Sequence, residues 1–441
     1  MTGGRGGTFG PVRAYRRIPT VGTVENPRGV TSRTPFRALL VLPAGVALLT
    51  GLATGLALLG LPAPVPAERI QDAHGLLMVL GFVGTLVTLE RAVAVRRPVA
   101  YLAPAALGLG ALALLSPAPR AVGQGLLVAG TLGLVAIYAV VWRRQPAVAT
   151  AIQAAGAVLA VGGAALWAAD VAVPDLLPWL VGFVAWTVLG ERVELARLEI
   201  DARTERRVLA GALVYVGAAC LALLAPAPGY ALAGAALAAS AVALLRHDVA
   251  RRTVRGHGLP RFAAAAMLAG YAWLVVAGAA WVFLAAGAGP SGLGPAVTLR
   301  SGTTYDAVVH AVFLGFGLSM IMAHAPLILP AVLRRPLPYR AAMWAPLALL
   351  HVSLAVRVAG DLAGDGPGAV AAVRVGGAGN VVAVLGFVGV ALWSALRGDR
   401  AARGPRLDPP ADQGSPSADQ GSLSPDQGSS SAAVLPIVSG R

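Results

Sequence analysis

Apolar residues in this chain neither alternate nor recur at a helical period; they run. Twelve stretches of roughly 20 residues, near 37–61, 70–90, 99–117, 121–142, 147–169, 174–192, 207–226, 229–246, 262–287, 304–325, 341–361 and 370–396, carry few charges. About 20 apolar residues is what an α-helix needs to cross hydrocarbon. In lipid every backbone donor and acceptor must be satisfied within the segment, so each run predicts a spanning helix. The expectation is an all-α, polytopic membrane protein of about twelve transmembrane helices. Residues 1–35 are polar, glycine-rich and basic, with no apolar stretch of a cleavable signal peptide. Residues 400–441 repeat DQGS at 412–415, 419–422 and 426–429 and are rich in Ser, Pro and Asp. Neither composition can bury a core, so both are expected to be disordered tails around a membrane domain at 36–399.

Composition agrees with the pattern: 57% hydrophobic, 12% charged and a mean hydropathy of +0.72 exclude a soluble domain. The net charge of +15 would suggest nucleic acid in a soluble protein, but here its distribution reports topology. With the N-terminus placed in the cytoplasm, 30 of the 35 basic residues, all arginine, fall on the inner side, among them Arg96, Arg97, Arg143, Arg144, Arg251, Arg252, Arg334 and Arg335. Arg69, Arg120, Arg300, Arg357 and Arg374 fall outside. That bias is the positive-inside signature, and an even number of spans puts both termini in the cytoplasm of a cell-membrane protein. The expected partner of the charge is an anionic leaflet of the lipid bilayer, not nucleic acid. The single cysteine, Cys220, excludes an internal disulfide and a cysteine-cluster metal site, and reads as a small buried hydrophobe in the seventh span.

The runs contain weak internal repeats. GFVGTLVTLER (81–91) aligns without a gap with GFVAWTVLGER (182–192), and DAHGLLMVLGF (72–82) with DAVVHAVFLGF (306–316). These fall in spans 2, 6 and 10, four helices apart each time, as three four-helix pseudo-repeats would place them.

Four histidines lie within spans: His74, His310, His324 and His351. An ionisable side chain in hydrocarbon is costly and normally faces the bundle interior with a partner. His74 and His310 lie about 3–6 Å inward of Asp72 and Asp306, at similar shallow depth, by the 1.5 Å helical rise. On an uninterrupted helix His310, Gly317 and His324 share one face, as do His74, Gly81 and Thr88. Glycine beside a histidine leaves a flat recess, and two facing histidines can ligate one haem iron axially. The alternatives are glycine as a close-packing device and histidine as a structural or proton-handling group. For His351, near mid-membrane, metal, haem and proton roles stay open, and His324 is ambiguous in depth because Pro326 and Pro330 follow it. Glu90-Arg91 and Glu191-Arg192 are expected to snorkel to the inner surface, and Arg357 and Asp361 to pair at i, i+4. The sequence shows no paired catalytic carboxylates, phosphate loop or nucleophile–base–acid constellation, and no Cys-x-x-Cys-His for covalent haem.

The segments HGLLMVLGFVGTLVTLERAVA (74–94) and HAVFLGFGLSMIMAHAPLILPAVL (310–333) make the membrane domain similar to the NnrS family, twelve-span haem- and copper-containing proteins linked to nitric oxide metabolism. In plan the chain also resembles subunit I of haem–copper oxidases. The resemblance implies haem b held by His74 and His310, lined by Gly81 and Gly317, with Arg357 and Arg374 near the propionates. It also implies a second metal site, copper included, at His324 and His351, and a role in nitric oxide handling or haem–copper respiratory metabolism. The oxidase binuclear centre is not expected, because spans 6 and 7 hold no histidine. The competing expectation is a twelve-span secondary transporter that uses intramembrane histidines for proton coupling or substrate binding.

Overall fold

A computed structural model describes residues 34–64, 73–196, 199–287, 294–333 and 336–402. Residues 1–33 and 403–441 of the two expected tails, Arg69, Asp72, Arg334 and Arg335 lie outside them; the inner ends of those tails, 34–35 and 400–402, are helical and continue the first and last helices. Among the described residues there is no strand, and twelve helices are long and apolar enough to span a membrane. They are α1 Phe36–Leu58, α2 His74–Val95, α3 Pro98–Leu115, α4 Arg120–Arg144, α5 Val148–Ala168, α6 Val173–Leu195, α7 Ala202–Leu224, α8 Pro226–His247, α9 Gly258–Ala285, α10 Gly302–Pro330, α11 Ala341–Ala363 and α12 Pro367–Arg397. All belong to one compact unit that ends at Asp399.

Local chemistry sets several ends. Arg96, at φ 58°, closes α2 in the left-handed conformation. Pro226 opens α8 at a position where its missing N–H costs nothing, and the Asp201 side chain accepts the Thr204 amide at 3.0 Å to cap α7.

The helices are not equally buried. In their most apolar windows α6 is 78% buried, α10 67% and α2 61%, against 33% for α1, α4, α7 and α12. These three therefore form the centre, and each touches the other two. Their spacing of four helices is the one the sequence repeats pointed to.

Close approach within the bundle depends on small residues, because lipid supplies no hydrophobic drive to bring helices together. Gly51 and Gly55 on α1 form a GxxxG face against α2: a Cβ on Gly51 would strike the Met78 sulfur, and one on Gly55 would reach within 3.7 Å of His74 Cε1. Gly376 on α12 lies so near α11 that a Cβ would come 2.6 Å from both the Arg357 nitrogen and the Ser353 carbonyl oxygen.

Two central helices are not regular. α2 is π-helical over Leu77–Gly84 and α10 over Ala311–Leu318, whereas α6 is α-helical through Leu177–Leu195. The two π segments begin and end at positions equivalent in the alignment of 72–82 with 306–316. A π turn takes up an extra residue, so side chains beyond it rotate by about 100° relative to an uninterrupted helix. The shared faces expected from α-helical counting therefore do not carry through the segments. Cys220 is also exposed, on the outward face of α7, rather than buried.

Candidate functional site

The ionisable residues inside the bundle gather at two levels. One is the end of the molecule where α2 and α10 begin; the other is where α2 and α6 end.

At the first level, His310 Nδ1 lies 2.7 Å from the Asp306 carbonyl oxygen. A carbonyl only accepts, so Nδ1 carries the proton and Nε2 of the neutral ring keeps its lone pair. His74 opens α2 with its Nδ1 buried and no partner in hydrogen-bond geometry; the Gly51 backbone of α1 lies near the ring. The two imidazoles are within electrostatic reach of each other and of Arg357 on α11. Arg357 is 8% exposed, with its Nε 3.9 Å from Asp361 Oδ2, and Asp306 is a further charge in its reach. A cation held in this way by one distant carboxylate retains donors for another anion.

The other residues expected here divide. Gly317 faces α6, where a Cβ would make ordinary contact with Val184 at 3.5 Å. The recess expected at Gly81 is filled: a Cβ there would meet Ala111 Cβ at 2.9 Å and Ala47 Cβ at 3.3 Å, so this glycine packs α2 on α3 and α1. Arg374 is exposed and donates from Nε to the Leu59 carbonyl at 3.0 Å, closing the end of α1. The remaining described arginines of this side also have partners, Arg300 pairing with Asp175 at 2.8 Å and Arg120 lying 4.7 Å over the Trp167 ring.

His351 lies between the levels with both nitrogens engaged. Trp273 Nε1–H donates to Nδ1 at 3.1 Å. Ser319 donates its hydroxyl to the Ala266 carbonyl at 2.7 Å, so its oxygen accepts from His351 Nε2–H at 3.2 Å. This chain ties α9, α10 and α11 and leaves no free nitrogen for a metal. The Trp273 ring itself lies on Gly315, in the π segment of α10.

At the second level the residues expected to snorkel turn inward instead, Glu191 and Arg192 buried and Glu90 and Arg91 half-buried. Arg192 is 5% exposed and grips Asp248 with two bonds, Nε to Oδ2 at 3.1 Å and Nη2 to Oδ1 at 3.0 Å. Asp248 also accepts from the Tyr271 hydroxyl at 2.8 Å and from the Ala250 amide at 2.8 Å. His324 donates from Nδ1 to the Met320 carbonyl at 2.8 Å, which leaves Nε2 to face Arg192 Nη1 at 3.4 Å. A guanidinium at that nitrogen is a poor neighbour for a second cation, so His324 and His351 together do not fit copper. Beside them Arg91 collects three carboxylates: Glu194 at 3.1 Å, Glu90 at 3.2 Å and Glu191 at 3.9 Å. Gln153 Nε2 donates to Glu194 at 2.9 Å, and the Tyr138 hydroxyl is buried nearby without a hydrogen-bond partner. Among the described residues no group of three or more His, Cys, Asp or Glu has metal-binding geometry.

Sequence reasoning missed Asp248, Tyr271, Glu194 and Gln153. Asp248 stands in HDVARR and reads as a solvated loop residue. The available signal was the repeated Glu-Arg that ends α2 and α6.

Over residues 37–396 the chain matches the family described as a domain of unknown function, DUF8744. It belongs to that family. The match takes in both levels of this DUF8744 protein, from α1 to the last turn of α12. No curated protein matched the chain.

Proposed function

We propose that this DUF8744 protein is a haem-b protein of the cytoplasmic membrane, both termini in the cytoplasm, acting in nitric oxide handling or haem–copper respiratory metabolism. The observation that carries this reading is the His74–His310 pair: two half-buried imidazoles on different central helices, each with an uncommitted nitrogen, under the charge of Arg357. His74 and His310 would be the axial ligands, the Nδ1–H bond to Asp306 fixing the tautomer of His310. Arg357 would neutralise a propionate; Arg374, committed to a backbone carbonyl, is less suited. A bis-histidine haem supplies reversible one-electron transfer between ferric and ferrous iron. The central triad of α2, α6 and α10 supports this plan over two six-helix halves.

The test is the spectrum of protein purified from haem-replete cells. A b-type Soret band with a low-spin α-band on reduction is expected; protein without a Soret band would overturn the reading. A proton-coupled transporter is the second reading, and the Glu90–Arg91–Glu191–Glu194 group favours it, running from buried Glu191 through half-buried Glu90 and Arg91 to exposed Glu194, since carboxylates at a membrane helix end can serve proton relays. Proton-driven flux in liposomes by haem-free protein would decide for it.

A further inference from the structure

The hairpin of α7 and α8 carries a cavity that neither level of buried charge reaches. Its volume is about 410 Å³. Its rim is cationic, with Arg207 from the first turns of α7 and Arg246 and His247 from the last turn of α8. One helical turn further in, the lining changes to small residues, Gly211 following Arg207 by four and Ala243 preceding His247 by four, with Ala239 a turn beyond. Arg207 and Arg246 are exposed, and neither side chain makes an ion pair among the described residues. The nearby acidic group is Asp201, which caps α7 through the Thr204 amide and lies within electrostatic reach of Arg207 and His247.

Cations at the end of a membrane helix sit where phospholipid headgroups lie, and a floor of small, mostly apolar residues immediately deeper, with Ser240 the one polar side chain lining it, is where an acyl chain begins. A basic pocket between spanning helices on the arginine-rich side is the chemistry that anionic lipid headgroups select. A free phosphate would use the rim and leave the floor without a function, whereas a phospholipid uses both. We propose that the α7–α8 cavity is a binding site for an anionic phospholipid, its phosphate held by Arg207 and Arg246 and one acyl chain lying along Gly211, Ala239 and Ala243.

The test is native mass spectrometry of the full-length protein in a non-ionic detergent, with dioleoyl phosphatidylglycerol and dioleoyl phosphatidylcholine added at equal concentration. Wild-type protein should retain phosphatidylglycerol preferentially. The R207Q/R246Q variant should bind it about 30-fold more weakly, the loss expected for two arginine–anionic-lipid contacts. Its monodispersity and melting temperature in lipid-free detergent should match wild type. A second variant, Ala243→Leu, fills the floor and leaves the charges; it should weaken phosphatidylglycerol binding and leave weak binding of inorganic phosphate unchanged. Equal retention of the two lipids by wild type would overturn the proposal, as would full retention of phosphatidylglycerol by R207Q/R246Q. Displacement of phosphatidylglycerol by an equal concentration of inorganic phosphate would also overturn it, since the cavity would then be an anion site and not a lipid site.

Discussion

Replacing Asp248 should be among the most damaging single changes in this protein, and the reason lies in what it would strand. The carboxylate is fully buried and accepts four hydrogen bonds, two from Arg192, one from Tyr271 and one from the Ala250 amide. It thereby joins α6, α9 and the segment after α8. Interhelical hydrogen bonds in membrane proteins average only about 0.6 kcal/mol, because the unfolded chain in lipid also finds partners. Asp248→Ala does more than remove such bonds: it leaves a guanidinium that is 5% exposed without its bidentate carboxylate, facing His324 Nε2 and the Tyr271 hydroxyl, with Glu191 the acidic group left in its reach. Removing one partner of a buried ion pair costs about 3–5 kcal/mol, and that range is expected here. Asp248→Asn keeps the shape and an acceptor oxygen and should lose roughly half as much. The double variant R192M/D248L removes both charges and should recover to within about 1 kcal/mol of wild type, as apolar replacement of a whole pair often does. Steric-trap unfolding in bicelles reads these differences directly. A loss below about 1 kcal/mol for Asp248→Ala, or a double variant no better than the single, would refute the argument that a stranded charge dominates.

Three further outcomes are expected. His74→Ala and His310→Ala should each abolish a low-spin b-type spectrum, with the double variant no worse than either single, because ligands acting as a unit are not additive; His257→Ala, in the connection between α8 and α9, should leave the spectrum unchanged. Gly376→Leu should lower the melting temperature in detergent sharply, since even a Cβ would lie 2.6 Å from α11 backbone. At the start of α7, the Thr204 hydrogen bond holds the Asp201 carboxyl below the usual aspartate range. The cap should therefore be intact above that range and be lost as pH falls through the depressed value, seen as a lower protection factor of the Thr204 amide once its exchange is divided by the intrinsic rate at each pH; protection that does not respond to acid, or to Asp201→Ala, would refute it.

The spans were legible because a membrane helix must be apolar along its whole length, and that requirement is written residue by residue. That His74 and His310 lie at one level of the bundle was legible for a related reason: costly residues at similar depth on repeated helices have few places to go. The second level of charge was not. Glu90, Arg91, Glu191 and Arg192 stand at span ends, where snorkelling is ordinary, and only three-dimensional packing surrounds them with α5, α9 and Asp248. His351 illustrates the converse, since its isolation in the sequence suggested a ligand while Trp273 and Ser319, on two other helices, occupy both nitrogens.

The π segments of α2 and α10 explain where the sequence reading went furthest astray and what the fold gains. Counting at 100° per residue put Gly81 under His74 and His324 under His310. With an extra residue taken up in each π segment, Gly81 instead turns to Ala47 and Ala111, while His324 turns to Arg192. A helix of uniform pitch presents one stripe to its neighbours; a helix with a π segment presents two, offset from one another. That offset lets α2 and α10 send His74 and His310 toward Arg357 at one end and Glu90 and His324 toward the α6 charges at the other. The interruption falls at equivalent residues in both helices and is missing from α6, which carries no histidine. The irregularity stands at the same place in the two histidine-bearing helices, and only there among the central three; it offsets their two stripes and also seats Gly81 and Gly315 against Ala111, Ala47 and Trp273.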